Sequence, residues 1–132
     1  MKEVRRIQTL SAAVICLFCC GCQTSSSPTD AREMATAKQQ FAFQQSAPMV
    51  KSCLLPVLDQ LKLFPLDPLS TRPSQVRDLG NKTEIFAQDA MTTLYVVDIE
   101  AVGAKTTEAK SYAHNAQAAG QIAEAMKRCG AR

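Results

Sequence analysis

The segment Asn81–Ala101, reading NKTEIFAQDAMTTLYVVDIEA, decides the fold class because it carries two incompatible periodicities. Phe86, Ala90, Leu94, Val97 and Ala101 recur at the three- and four-residue steps of a helix, and Asn81 with Glu84 has capping-box spacing ahead of them. Thr92 to Ile99 is instead dense in β-branched and aromatic residues, which favour a strand. A lone strand cannot satisfy its backbone donors and acceptors, and the partner on offer is a short hairpin from Thr83 to Gln88. The reading adopted is helix; the alternative is an α+β arrangement with a short hairpin around 83–102.

Upstream, Asp30 with Glu33 has the same capping-box spacing, and the Ala, Met, Lys and Gln that follow favour a first helix over residues 31–46, with Met34, Ala37 and Phe41 as its apolar edge. Pro48 suits the first turn of a second helix, where its missing N–H is not needed. Val50, Cys53, Leu54, Val57, Leu58, Leu61 and Phe64 then fall on one helical face, so Cys53 is expected on the buried side. Pro56 should kink or split this helix near Leu55, and Pro65, Pro68 and Pro73 forbid regular structure over most of 65–73. A short helix from Pro73 to Leu79 would stop at Gly80.

Downstream, a last helix over Thr107–Arg128 ends with Lys127, Arg128 and Gly130, a favourable arrangement of dipole charges and cap. Its small face is Ala109, Ala113, Ala116, Gly120 and Ala123, permitting close approach to another helix, while Tyr112, Ala119 and Met126 flank it. Cys129 follows that larger flank, within reach of Cys53. The expected fold is mainly α, a domain of about four helices over residues 31–132, pinned by one Cys53–Cys129 disulfide.

The start of the chain is of another kind. Met1 to Arg6 hold Lys2, Arg5 and Arg6 against Glu3, and Leu10 to Cys20 is apolar or small except for Ser11, the order of an export signal. A run of about a dozen apolar residues falls short of the roughly twenty a membrane-spanning helix requires. Leu17, Phe18, Cys19, Cys20, Gly21 and Cys22 close the run, and this resembles the lipobox of bacterial lipoproteins, in which a small residue precedes the modified cysteine. Only Cys22 has that neighbour; Cys19 stands where the family has Leu, and Cys20 is the rival site, with Leu17 three residues before it. The resemblance implies a diacylglyceryl thioether on Cys22, cleavage of residues 1–21, and an acylated N-terminus. Gln23 rather than Asp after the cysteine implies the periplasmic face of the outer membrane, with the inner membrane as the alternative. Residues 22–30 read as a Ser- and Thr-rich lipidated tether.

Removing residues 1–21 from 132 leaves 111, of which the signal had held three of fifteen basic and one of twelve acidic residues, so twelve face eleven in the mature chain. With no basic stripe, nucleic-acid binding and purely electrostatic membrane binding lose their warrant. Two cysteines left in an oxidising compartment suggest a structural bridge.

Chemistry is sparse. His114, the single histidine, falls with Lys110, Gln117 and Gln121 on the expected solvated side of the last helix. No nucleophile-elbow sequence surrounds Ser52, Ser70, Ser74 or Ser111. Asp98 and Glu100 read as solvated charges, and the scattered glycines make no phosphate loop. No catalytic residue, metal ligand, cofactor or small-molecule substrate is expected beyond the lipid on Cys22. In size and plan the chain resembles pilotin lipoproteins, which escort secretin subunits. The expectation is a non-catalytic binding or assembly factor for an envelope or secretion complex, membrane-held through its lipid, with a protein partner; the alternative is an inhibitor or immunity protein against a periplasmic hydrolase.

Overall fold

The computed structural model describes residues 27–63, 71–90 and 92–132. The signal, Cys22 and the proline-rich residues 65–70 lie outside that range. Eight elements follow in order: α1 (Pro28–Met34), β1 (Ala37–Phe43), α2 (Ala47–Leu58), β2 (Gln75–Asp78), β3 (Lys82–Asp89), β4 (Thr92–Gly103), β5 (Thr106–Ala113) and α3 (Ala116–Arg128). The strands form one antiparallel sheet in the order β1-β5-β4-β3-β2.

The mainly α expectation is therefore wrong, and the segment Asn81–Ala101 is where it fails. It forms β3 and β4, a long hairpin whose Ile85 opposes Val97 and whose Glu84 opposes Asp98. The backbone objection to a strand disappears because β4 lies at the centre of the sheet, paired on both sides. Both faces of β4 are covered, which is why its middle reads as a continuous apolar run rather than an alternation. Tyr95, Val97 and Ile99 point towards α2 and α3, and Val96 points towards α1.

Other boundaries move for related reasons. The expected first helix breaks after Met34, and Ala37–Phe43 becomes an edge strand pairing with β5. Its start also shifts, because Ser27 and Asp30 form the capping box, so residues 28–30 of the expected tether are helical. The short helix expected from Pro73 to Leu79 is the exposed edge strand β2. The expected last helix is split: residues 107–113 form β5, with Thr107, Ala109, Ser111 and Ala113 alternating inward, and the helix begins only after the Asn115 cap, whose side chain accepts from Ala118 N–H at 2.8 Å. The second helix forms much as expected, with Val50, Leu54 and Leu58 buried, and it ends two residues beyond Pro56.

The main core lies between the sheet and the pair α2 and α3, built on Phe43, Leu54, Leu58, Ile85, Tyr95 and Ile122. On the opposite face α1 covers a smaller cluster of Ala31, Phe86 and Val96, flanked by Tyr112. At the end of α3, Gly130 adopts φ +92 and its N–H donates to the Lys127 carbonyl at 3.0 Å, while Ala131 N–H donates to Met126 at 3.0 Å. This Schellman closure turns the chain onto β1, where Ala131 pairs with Phe43.

The expected disulfide is present: Cys53 on α2 is bonded to Cys129 at the α3 terminus, with Cα atoms 5.8 Å apart. It closes a loop of 76 residues, worth about 4 kcal/mol on chain-entropy grounds. The double variant Cys53→Ala/Cys129→Ala should unfold in urea with a stability about 3–4 kcal/mol below the parent. A loss under about 1 kcal/mol would contradict the loop-closure account.

Candidate partner-binding groove and a buried ion cluster

Two features outside the apolar core stand out, one on each face of the sheet. On the helical face, a cleft of about 650 Å³ lies between the end of α2 and the length of α3. Its apolar part comes from Val57, Leu61, Ala116 and Ala125, and Gln60, Gln117 and Gln121 add amides. Ile122 and Met126 point the other way, into the core, so α3 presents one face to the sheet and another to the cleft.

One end of the cleft is fixed by an unusual use of an amide. The Gln121 side chain accepts from Lys62 N–H at 3.0 Å and donates to the Lys62 carbonyl at 2.8 Å, pairing with backbone as a neighbouring strand would. Further along the connector, Ser74 N–H donates to Asp59 at 2.6 Å, and the Ser74 hydroxyl shares a hydrogen bond of 2.8 Å with the Tyr95 phenol. Burial pushes Tyr95 up to about 12, against the lowering effect of that hydrogen bond, so it stays a neutral phenol at neutral pH.

Gly120 lies in the interior of α3 and on the cleft. A glycine there costs roughly 0.5–1 kcal/mol relative to alanine. The small face expected of this helix would explain it by close helix packing, but among the described residues a Cβ at Gly120 would meet nothing within 4 Å. The space in front of it is open.

On the opposite face, Glu84 and Asp98 oppose one another across β3 and β4, and both are buried. Two carboxylates in that position repel, and burial raises the cost of their charge. Arg32 on α1 resolves the conflict: its guanidinium donates to both Asp98 oxygens, at 2.8 and 2.5 Å, and to Glu84. Arg77 on β2 adds a hydrogen bond to the second Glu84 oxygen at 2.6 Å, and the Lys82 ammonium stands 3.8 Å from Asp98. Arg32 also lies over the Tyr112 ring at 5.9 Å. Burial would raise the Glu84 pKa, but hydrogen bonds from Arg32 and Arg77 outweigh it, and the group ends below its ordinary value. For Arg32 the bond to Asp98 dominates over burial and raises the guanidinium further.

The residues singled out from sequence are dispersed. Asp98 is buried in the ion cluster rather than solvated, whereas Glu100, although on the same face, is exposed. His114 lies in the bend just after β5 instead of projecting from a helix, and its Nε2 is 2.8 Å from the Thr93 carbonyl. Ser74 is engaged by Tyr95, and Ser111 is buried within 3.5 Å of Gln39. None of the hydrogen bonds among the described residues joins a serine to His114. No group of three or more metal-ligating side chains occurs among the described residues, and none of their helices is long and apolar enough to cross a membrane. Sequence reasoning missed Arg32 and Arg77 and, besides Asp98 and His114, misassigned Gly120. A protein-family scan and a comparison with curated proteins both give no match.

Two outcomes follow from the ion cluster. Arg32→Gln should cost about 2–3 kcal/mol in urea unfolding, below the ~3–5 kcal/mol of a fully isolated buried pair because Arg77 and Lys82 remain; a cost under about 0.5 kcal/mol would show that the cluster does not hold α1. Because the folded pKa of Glu84 lies below its unfolded value of ~4.3, the unfolded chain takes up the proton first on acidification. Its contribution is therefore present above the unfolded pKa and is lost as pH falls through the folded one. Stability measured from pH 6 to pH 3 should fall less steeply in Glu84→Gln than in the parent.

Proposed function

We propose that this chain is a lipoprotein anchored through Cys22, and that it acts as a non-catalytic binding or assembly factor for an envelope complex, on the periplasmic face of the outer membrane. The observation that carries the reading is the cleft between α2 and α3, open in front of Gly120 and lying on the sheet face opposite α1. Its volume falls within the ~300–1,000 Å³ range of ligand clefts.

The position of α1 supports the same reading. Five peptide units separate Cys22 from the Ser27 cap, and an extended chain covers at most about 3.5 Å per residue, or about 18 Å in all. A lipid on Cys22 thus holds α1 close to the bilayer, and the cleft, on the far face of the sheet, is turned towards soluble or membrane-bound partners. Two or three acyl chains on one cysteine make a lasting anchor where a single chain is marginal.

Both parts can be checked in envelope membranes from cells expressing the full chain. Cys22→Ser should leave the membrane fraction, whereas Cys20→Ser should remain in it; the reverse pattern would overturn the anchor assignment. A photo-crosslinking residue at Gln117 should trap a discrete partner, and the trapped species should vanish when Gly120→Trp fills the cleft. Crosslinking unaffected by Gly120→Trp would overturn the binding role of the cleft. As a control of fold, Gly120→Ala should raise stability by about 0.5–1 kcal/mol, since nothing opposes its Cβ.

A further inference from the structure

We infer that the α2–α3 cleft takes an extended acidic segment of a partner protein, five or six residues long, with apolar side chains alternating with Asp or Glu; this rests on the binding role proposed above. The first observation is the charge around the cleft. Glu124 is the only acid among the described residues that line it, and the Lys127 ammonium holds that carboxylate at 3.0 Å. Lys62 and Arg128 line the same cleft, and neither has a carboxylate partner among the described residues. Arg128 sits in the last turn of α3, where a cation also offsets the helix dipole. Lys62 is outside any helix, so that explanation does not extend to it.

The second observation concerns hydrogen bonding. Gln121 is fully committed to the Lys62 backbone, but Gln60 and Gln117 have no side-chain partner among the described residues. Two uncommitted amides beside an apolar floor can each offer a donor and an acceptor to a peptide backbone. The third is length. Lining residues run along α3 from Ala116 to Arg128, which at 1.5 Å per residue is about 18 Å. An extended segment at ~3.3 Å per residue spans that distance with five or six residues. Alternation then sends one set of side chains onto Val57, Leu61 and the open surface at Gly120, and the other set outward to Lys62 and Arg128. Opposite charges there set specificity and encounter rate more than raw affinity.

The test uses the full lipoprotein in phosphatidylcholine nanodiscs and two fluorescein-labelled hexapeptides, one alternating Leu and Glu, the other alternating Leu and Lys. Anisotropy should show the Leu/Glu peptide binding at least tenfold more tightly than the Leu/Lys peptide, with the difference shrinking between 50 and 500 mM NaCl. Lys62→Gln and Arg128→Gln should each weaken the Leu/Glu peptide about three- to tenfold, Lys62→Gln without lowering the melting temperature and Arg128→Gln with the slight lowering its place in the last turn of α3 implies, and Gly120→Trp should abolish binding. Equal binding of the two peptides, or preference for Leu/Lys, would overturn the acidic class while the trapped partner at Gln117 could still stand. No binding of either peptide, or a lipid copurifying in the cleft, would overturn the inference altogether.

Discussion

The bond between Cys53 and Cys129 is the constraint on which the rest of the helical face depends. It joins α2, which precedes most of the sheet in sequence, to the terminus of α3, which follows all of it. With that terminus fixed, the Gly130 turn places Ala131 against Phe43, so the same corner of the molecule also closes the end of the β1 edge. The cleft is a consequence of this geometry. Its walls are the free sides of two helices that cannot separate while the bond is intact, and the Gln121 amide ties the connector to one wall.

The other face of the sheet works by charge instead of by covalent linkage. α1 is only seven residues long, and its buried contribution is Pro28 and Ala31, too little apolar surface to hold a helix in place at ~25 cal/mol per Å². What makes its position specific is Arg32, because the Glu84–Asp98 pair presents a buried double negative charge that a guanidinium fork fits. The dependence is mutual. Without the carboxylates α1 has little to dock on, and without Arg32 the β3–β4 hairpin keeps two facing carboxylates with less compensation.

The sequence revealed the disulfide and α2, and it misled over much of the rest for identifiable reasons. The α2 stripe was legible because its period of 3.6 is unbroken from Val50 to Leu61, and Cys53 lies in phase with it. β4 was not, since a strand buried on both faces loses the alternation that marks a half-buried one, and chance spacing of Phe86, Leu94 and Val97 imitates a helix. Its hairpin carries no Asn-Gly signal: Ala90 takes φ 48 in the turn after Asp89. β5 was hidden by composition. Its inward residues are small because two helices press on them, and alanine and serine at those positions read as a helix face. Arg32 could not be found because its partners are 52 and 66 residues away, and no local pattern links them.

The two faces also differ in what could loosen them, and this bears on how an anchored domain would behave. Pulling on the chain N-terminal to Ser27 would load α1 first, since α1 precedes every strand and is held largely by the few charge-assisted hydrogen bonds of Arg32. If it detached, the segment from Pro28 to Thr36 would add nine residues to the tether, or about 30 Å of reach. The cleft would be spared, because none of its lining comes from α1 or from the sheet face beneath it, and the disulfide resists separation of its walls. A covalent clasp on one face of the sheet and an ionic clasp on the other therefore let α1 detach without changing the α2–α3 cleft.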